Sequence, residues 1–158
     1  MGPLSAKVEG VLSLCTYLCR RMGRYLGIDF GLQRTGIAVT DPDQIIVTGL
    51  ETIATAGLMP FLIQYISREK VDAIVIGHPF LDGAWGNKNF RDKLEEFIAT
   101  IKKNFPTIPV HLHDERYTSS RAKEIILQSG KKKKQRRDRS LIDKTSAIVI
   151  LQEYLGHI

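Results

Sequence analysis

The spacing of apolar residues along the chain changes period several times, and each change marks a different kind of element. Tyr25 to Asp29 is a short apolar run that predicts a strand. Phe30 to Arg34 is a glycine-containing connection, and Thr35 to Thr40, rich in β-branched residues, predicts a second strand. Asp41-Pro42-Asp43 carries turn chemistry, and Gln44 to Thr52 predicts a third strand. Three strands joined by short connections predict an antiparallel meander. The period then lengthens. Leu58, Leu62, Tyr65 and Ile66 recur at helical spacing. Asp72 to Gly77 is a compact apolar strand of the kind that lies mid-sheet between helices, and Gly77 to Asn89 is a loop. Leu94, Phe97, Ile98 and Ile101 mark a second helix, and Pro109 to His113 a fifth strand. A third helix opens at Thr118 and stops near Gly130, and Leu141 to Leu155 predicts the last. The order βββαβαβαα predicts an α/β fold: a five-stranded mixed sheet, its first three strands an antiparallel meander and its fourth and fifth parallel, flanked by helices. No internal repeat is present.

The length of 158 residues suits one domain. Residues 1–21 fall outside the strand-and-helix pattern and precede Met22-Gly23-Arg24, so the domain is expected at 22–158, behind a disordered leader or a misassigned start. The apolar stretch Val11 to Cys19 has Arg20-Arg21 after it and only Lys7 before it, the reverse of a secretory signal. No apolar run approaches the roughly 18 residues of a membrane span. Two cysteines, Cys15 and Cys19, are too few to staple such a domain, which fits a reducing, cytoplasmic setting.

Charge sharpens this picture. The formal net charge is +6, but seven of the 23 basic residues and one of the 17 acidic residues lie between 131 and 139, so the remainder is balanced. Lys131, Lys132, Lys133, Lys134, Arg136, Arg137 and Arg139 therefore form one basic segment between two helix patterns, of a kind suited to nucleic-acid phosphates.

Three acidic places lie where an element begins or ends. Asp29 closes the first strand, with Gly27 and Gly31 on its own side of the strand, an arrangement expected to leave open space around the carboxylate. The same residues would also suit a plain turn. Asp114 and Glu115 follow the fifth strand on opposite faces, so one of them is expected to enter a site. Asp143 heads a helical face formed with Ala147, Ile150, Leu151 and Tyr154, which aims it at the strand ends. Alternatively, Ser140-Leu141-Ile142-Asp143 matches a capping box in which Asp143 serves the helix start. Clustered carboxylates repel unless neutralised, and hard divalent cations do so through oxygen ligands. Acids holding Mg²⁺ or Mn²⁺ beside a basic segment holding phosphates form a coherent pair for phosphodiester cleavage.

At these residues the chain resembles the YqgF (RuvX) family, described as Holliday junction resolvases and as pre-16S rRNA nucleases. Gly27-Ile28-Asp29-Phe30-Gly31 with Arg34-Thr35-Gly36 resembles its first block, and Gly77-His78-Pro79 with Asp82-Gly83 its second. Asp114-Glu115-Arg116-Tyr117-Thr118 resembles the third, and Asp143-Lys144 leading to Ala147 and Ile150-Leu151 the fourth. His78 stands where the family usually has leucine, and Ser119 and Ser146 depart from its usual threonine and alanine. The resemblance covers Gly23 to Leu155 and implies a ribonuclease H-like fold. It further implies Asp29, Glu115 and Asp143 as catalytic and metal-binding acids, with Asp114 as an alternative ligand. Arg34 and Arg116 would contact phosphate. The implied function is a metal-dependent nuclease maturing the 5′ end of pre-16S rRNA in ribosome biogenesis. Resolution of branched DNA is the first alternative, and a non-catalytic nucleic-acid-binding or antitermination factor the second. Nucleic acid is the expected partner, with no membrane; a homodimer is left open. A Gly-x-Asp-x-Gly turn also occurs in actin-like ATP-binding proteins, but these need two such domains around a cleft.

Overall fold

The computed structural model describes residues 22–78, 88–114, 118–130, 135 and 138–158. The expected leader, most of the glycine loop after His78, Glu115, Arg116, Lys131 to Lys134, Arg136 and Arg137 lie outside these residues.

Five strands, β1 (Arg24–Asp29), β2 (Arg34–Thr40), β3 (Val47–Ala54), β4 (Val71–His78) and β5 (Val110–Asp114), form one sheet in the order β3-β2-β1-β4-β5. β1 pairs antiparallel with β2, and β2 with β3; β1, β4 and β5 run parallel. The helices are α1 (Leu58–Arg68), α2 (Lys88–Asn104), α3 (Thr118–Gln128) and α4 (Arg139–Tyr154). The element order and the mixed sheet are those the patterning predicts.

Side-chain alternation divides the strands between two cores. Leu26, Ile28, Ile37, Val39, Ile74 and Ile76 point to one face and pack with Leu58 and Leu62 of α1 and Leu94, Phe97, Ile98 and Ile101 of α2. Each such side chain, buried, contributes about 1.5–3 kcal/mol of hydrophobic stabilisation. The other face carries Ala38 and Val75, covered by Ala147, Ile150 and Leu151 of α4.

Most boundaries shift by a residue or two from expectation, and two element starts move for a visible local reason. The third strand begins at Val47, not Gln44. Asp41 Oδ1 accepts from the Ile45 and Ile46 amides at 2.7 and 2.8 Å, and Gln44 adopts φ 60°, so these residues turn instead of pairing. The last helix begins at Arg139, not Leu141, because Asp138 caps it: the Ser140 amide donates to Asp138 Oδ1 at 2.9 Å. The predicted stop near Gly130 is a left-handed residue at φ 69°.

Candidate active site

Asp29 is the last residue of β1, and its side of the strand faces α4, as does Gly27 two residues earlier. Across the antiparallel ladder Asp29 pairs with Gly36. Gly36 has α4 directly above it: a Cβ there would lie 2.0 Å from the Asp143 carbonyl oxygen and 3.0 Å from the Lys144 nitrogen. The helix backbone thus occupies the space a side chain would need, and the residue it sets there is Asp143. Gly36 is consequently the link that brings the end of β1 and the head of α4 together.

Two further glycines seat the same helix. A Cβ on Gly27 would meet Leu151 Cγ at 2.4 Å, and one on Gly49 would meet Lys144 Cγ at 2.5 Å. The Thr52 hydroxyl donates to the Ser140 carbonyl at 2.8 Å and anchors the first turn on β3. The expectation that Gly27 and Gly31 leave open space beside Asp29 is corrected here. The space over Gly27 is filled by Leu151 and the Ala147 carbonyl, and a Cβ on Gly31 would lie 2.3 Å from the Arg34 carbonyl oxygen. These glycines serve close backbone approach, not an empty pocket.

The capping-box alternative for Asp143 is also corrected. Asp138 holds the cap, and Asp143 lies more than one turn into the helix. Its carboxylate instead meets Arg34 at the start of β2, with Arg34 Nε 3.5 Å from Asp143 Oδ2. Burial raises the Asp143 pKa above its usual value, against the pull of Arg34 and Arg139, while the neighbouring Asp138 raises it further. Desolvation outweighs the cations, so this is a carboxylate that gains from another positive charge. Arg139, a member of the basic segment, is the first residue of α4 and acts on Asp143 electrostatically.

On β5, His111 and His113 face α4: His111 packs its ring on Tyr154 and His113 bonds Glu153. Asp114 therefore faces the opposite side, beside His78, its register partner on β4. Asp29 and Asp143 belong to the α4 side, so Asp114 is separated from them by the sheet. His78, at the position of the family's leucine, is 6% exposed. Burial lowers its pKa, while Glu95 and Asp114 act the other way, so the ring occupies the leucine's place as a largely buried group. Of the three expected acids, the structure describes two, Asp29 and Asp143, whose backbones both adjoin Gly36. With Glu115 outside the described residues, these hold no cluster of three His, Cys, Asp or Glu side chains able to bind a metal.

Sequence reasoning did not find the group formed by His113, Glu153 and Arg121. Glu153 takes His113 Nε2 at 2.9 Å and also pairs with Arg121 of α3. The only signal in the sequence was the parity of β5, which sets His111 and His113 on one side of the strand. Among the described residues no helix is long and apolar enough to cross a membrane.

The sequence matches the family described as RuvX, Holliday junction resolvase, over residues 23–157. A protein of Phocaeicola vulgatus, provisionally named a pre-16S rRNA nuclease, is 43% identical over 134 residues, covering 85% of this chain and 96% of its own. One of Porphyromonas gingivalis with the same name is 43% identical over 141 residues, covering 86% and 98%. Among solved structures, Thermus thermophilus RuvC in complex with Holliday junction substrate aligns with a TM-score of 0.56 at 15% identity, over 85% of this chain and 96% of that one. A second Thermus thermophilus RuvC structure aligns at 0.51 and 12%, over 84% and 96%. Likeness at such identity speaks to the fold, which is ribonuclease H-like.

Proposed function

This chain belongs to the RuvX family, which makes it a nuclease, and from that premise we propose that it hydrolyses phosphodiester bonds with Mg²⁺ or Mn²⁺ held by Asp29, Glu115 and Asp143. The observation that carries the reading is the seating of Asp143 over Gly36, the register partner of Asp29. Backbone adjacency through Gly36 supports a site shared by these two acids from distant parts of the chain, and burial raises the pKa of Asp143. Such a pair is costly by itself and fits a hard cation with oxygen ligands. Strand parity supports Glu115 over Asp114 as the third member, since His111 and His113 share the α4 side.

When bound, the metal would activate water and stabilise the leaving oxygen. The chain's own groups do the rest. Asp29, on a strand, and Asp143, on a helix packed against it, hold their oxygens on rigid elements. Arg34, at the mouth of the pair, would turn from Asp143 to a substrate phosphate. Arg116, Arg139 and the basic run Lys131, Lys132, Lys133, Lys134, Arg136 and Arg137 would hold the backbone on either side.

The substrate we propose is structured RNA, the 5′ region of the pre-16S rRNA precursor, after the names of its relatives. Branched DNA is the second reading, after the description of the family. The deciding experiment sets purified protein against an rRNA precursor and a four-way DNA junction, with and without Mg²⁺ or Mn²⁺, for wild type and Asp29→Asn. Metal-dependent cleavage of the RNA, lost in the variant, is expected. Cleavage of the junction alone would move the substrate to DNA, and binding without cleavage of either would make the protein a non-catalytic factor. Replacing Lys131 to Lys134 with alanine should flatten the dependence of binding on salt, by up to about 0.9 in the log–log slope per lost duplex-DNA contact and less on single strands.

A further inference from the structure

Thr55 opens the short 3-10 turn Thr55–Gly57 that joins β3 to α1, and it bonds three points around the connection between β1 and β2. Its amide donates to the Gln33 carbonyl at 3.0 Å. Its hydroxyl donates to the Gly31 carbonyl at 2.5 Å and lies 2.9 Å from the Thr35 hydroxyl. A hydroxyl has one proton and a carbonyl can only accept, so the direction of this relay is fixed: Thr35 donates to Thr55, and Thr55 to Gly31. Gln33 and Thr35 are the two chain neighbours of Arg34. We propose that Thr55, with Thr35 behind it, is a positioning residue for Arg34, holding it where it meets Asp143 and can reach a substrate phosphate. This inference rests on the reading of Arg34 as a phosphate contact.

Arg34 is the first residue of β2, and the strand across from it, β3, is an edge strand bonded to β2 alone. Their ladder is interrupted by a bulge: Ile37 is opposite Glu51 but Ala38 is opposite Gly49, so Leu50 is the extra residue. What remains at the Arg34 end is four pairs, from Ile37 with Glu51 to Arg34 with Ala54. In an unbroken strand, residues three apart face opposite sides. The bulge lets Gly49 and Thr52 both face α4, Gly49 under Lys144 and Thr52 bonded to the Ser140 carbonyl. The head of α4, which carries Asp143, is therefore seated on this same short piece of ladder. Element ends are the first places to open, and Thr55 closes this one, a single residue past Ala54.

Burial makes the tie firm. Thr35 is fully buried, on the same side of β2 as Ile37 and Val39 of the α1–α2 core. Its hydroxyl is satisfied by Thr55, and losing that partner would cost the desolvation of a buried donor. Arg34 points the other way, to the α4 side, where its Nε stands 3.5 Å from Asp143 Oδ2. The Arg34 side chain is 43% exposed, so a phosphate can reach it. A long, half-open side chain has many rotamers, and what the fold can set is the backbone from which it starts. Hydrogen bonds to the residues before and after Arg34 set that origin.

The test measures binding of an rRNA precursor and a four-way DNA junction in EDTA, cleavage of both with Mn²⁺, and thermal unfolding. It compares full-length wild type with Thr55→Val, Thr55→Ser, Arg34→Ala, Arg34→Ala/Thr55→Val and Thr35→Val/Thr55→Val. Thr55→Val changes no charge, yet it should lower kcat about ten- to a hundredfold and weaken binding in the same direction as Arg34→Ala. Thr55→Ser, which keeps the hydroxyl, should stay close to wild type. In the Arg34→Ala background Thr55→Val should lower neither rate nor affinity further, because it acts through Arg34. Thr55→Val should also melt about 2–12 °C lower, since Thr35 loses its acceptor. Thr35→Val/Thr55→Val leaves no orphaned hydroxyl and should regain much of the Tm and none of the rate. Wild-type rate and affinity in Thr55→Val, recovery of the rate together with Tm in that double variant, or losses that add fully to those of Arg34→Ala would each overturn the role of Thr55 and leave Arg34 in the site. Wild-type binding and cleavage by Arg34→Ala would remove Arg34 from the site and the proposal with it. Should wild type cleave neither substrate, affinity decides: a loss in Arg34→Ala without one in Thr55→Val would overturn the proposal. Should Thr55→Val fail to fold, wild-type rate and affinity in Thr35→Val/Thr55→Val would do the same.

Discussion

Ile28 and Asp29 are neighbours on β1 and face opposite sides of the sheet into unlike surroundings. On the Ile28 side, α1 and α2 press leucine, isoleucine and phenylalanine onto a surface of the same kind. On the Asp29 side, α4 comes down onto Gly27, Gly36 and Gly49, close enough that any Cβ would collide with it. The first face is held by buried area, which is non-directional and permits some repacking. The second is held by backbone approach, a hydroxyl anchor from Thr52 and a cap from Asp138, each of which fixes position as well as energy. The proposed site lies on the second face, where position is fixed as well as energy, while the first face carries the larger apolar core.

Four substitutions separate the faces, beginning with the largest cost to stability. Ile28→Ala, in the α1–α2 core, should lose about 2–5 kcal/mol in denaturant unfolding. Where it is still folded it should keep its cleavage rate. Gly36→Ala should lose about 1–3 kcal/mol from overpacking, less than Ile28→Ala, yet abolish most activity, because the added methyl can be housed only by lifting α4 and Asp143 away from Asp29. Equal activity losses in these two variants would show that the faces are not functionally distinct. Asp138→Ala should cost about 0.5–2 kcal/mol through the lost cap. A loss of that size in Asp138→Ala, absent from Asp143→Asn, would confirm which aspartate serves the helix.

Asp143→Asn should have the smallest effect on stability, and of the opposite sign. The fold raises the Asp143 pKa through burial, so it favours the protonated form. That contribution is present below the ordinary carboxylate range and is lost as pH rises through the raised pKa. The asparagine variant should therefore match or exceed the wild-type Tm at neutral pH without metal, with no advantage in acid. Added Mg²⁺ should raise the wild-type Tm more than that of the variant, since ligand binding stabilises the state it binds. A variant that is destabilised at neutral pH and responds fully to Mg²⁺ would take Asp143 out of the site.

The strands and helices were legible because their cause is local. The run Asp72 to Gly77, the period of Leu94, Phe97, Ile98 and Ile101, and the glycine stop at 130 all state themselves within a few residues. Boundaries were legible only to within a residue or two, and two starts were displaced by a side chain bonding to nearby backbone, Asp41 before β3 and Asp138 before α4. Asp138 was easily passed over inside a run of charge, where its carboxylate reads as one of many. The glycines beside Asp29 were identified correctly as significant, but for the wrong reason, since sequence shows that a Cβ is missing and not what fills its place.

By itself, the sequence determined the element order, the apolar face of each helix and the acids standing at element ends, because each depends on periodicity or on residue type along a short stretch. Only the tertiary structure decided which acids share a side. Asp29 and Asp143, more than a hundred residues apart in the chain, come to the same side through the register that pairs Asp29 with Gly36 and the close seating of α4 above that glycine. Asp114 is turned from them by the alternation of β5, fixed by what His111 and His113 touch. The tie of Glu153 to His113 and Arg121 likewise joins three elements that no local pattern connects. Such contacts depend on how packed layers are set against one another, and that setting is a property of the whole sheet and its helices.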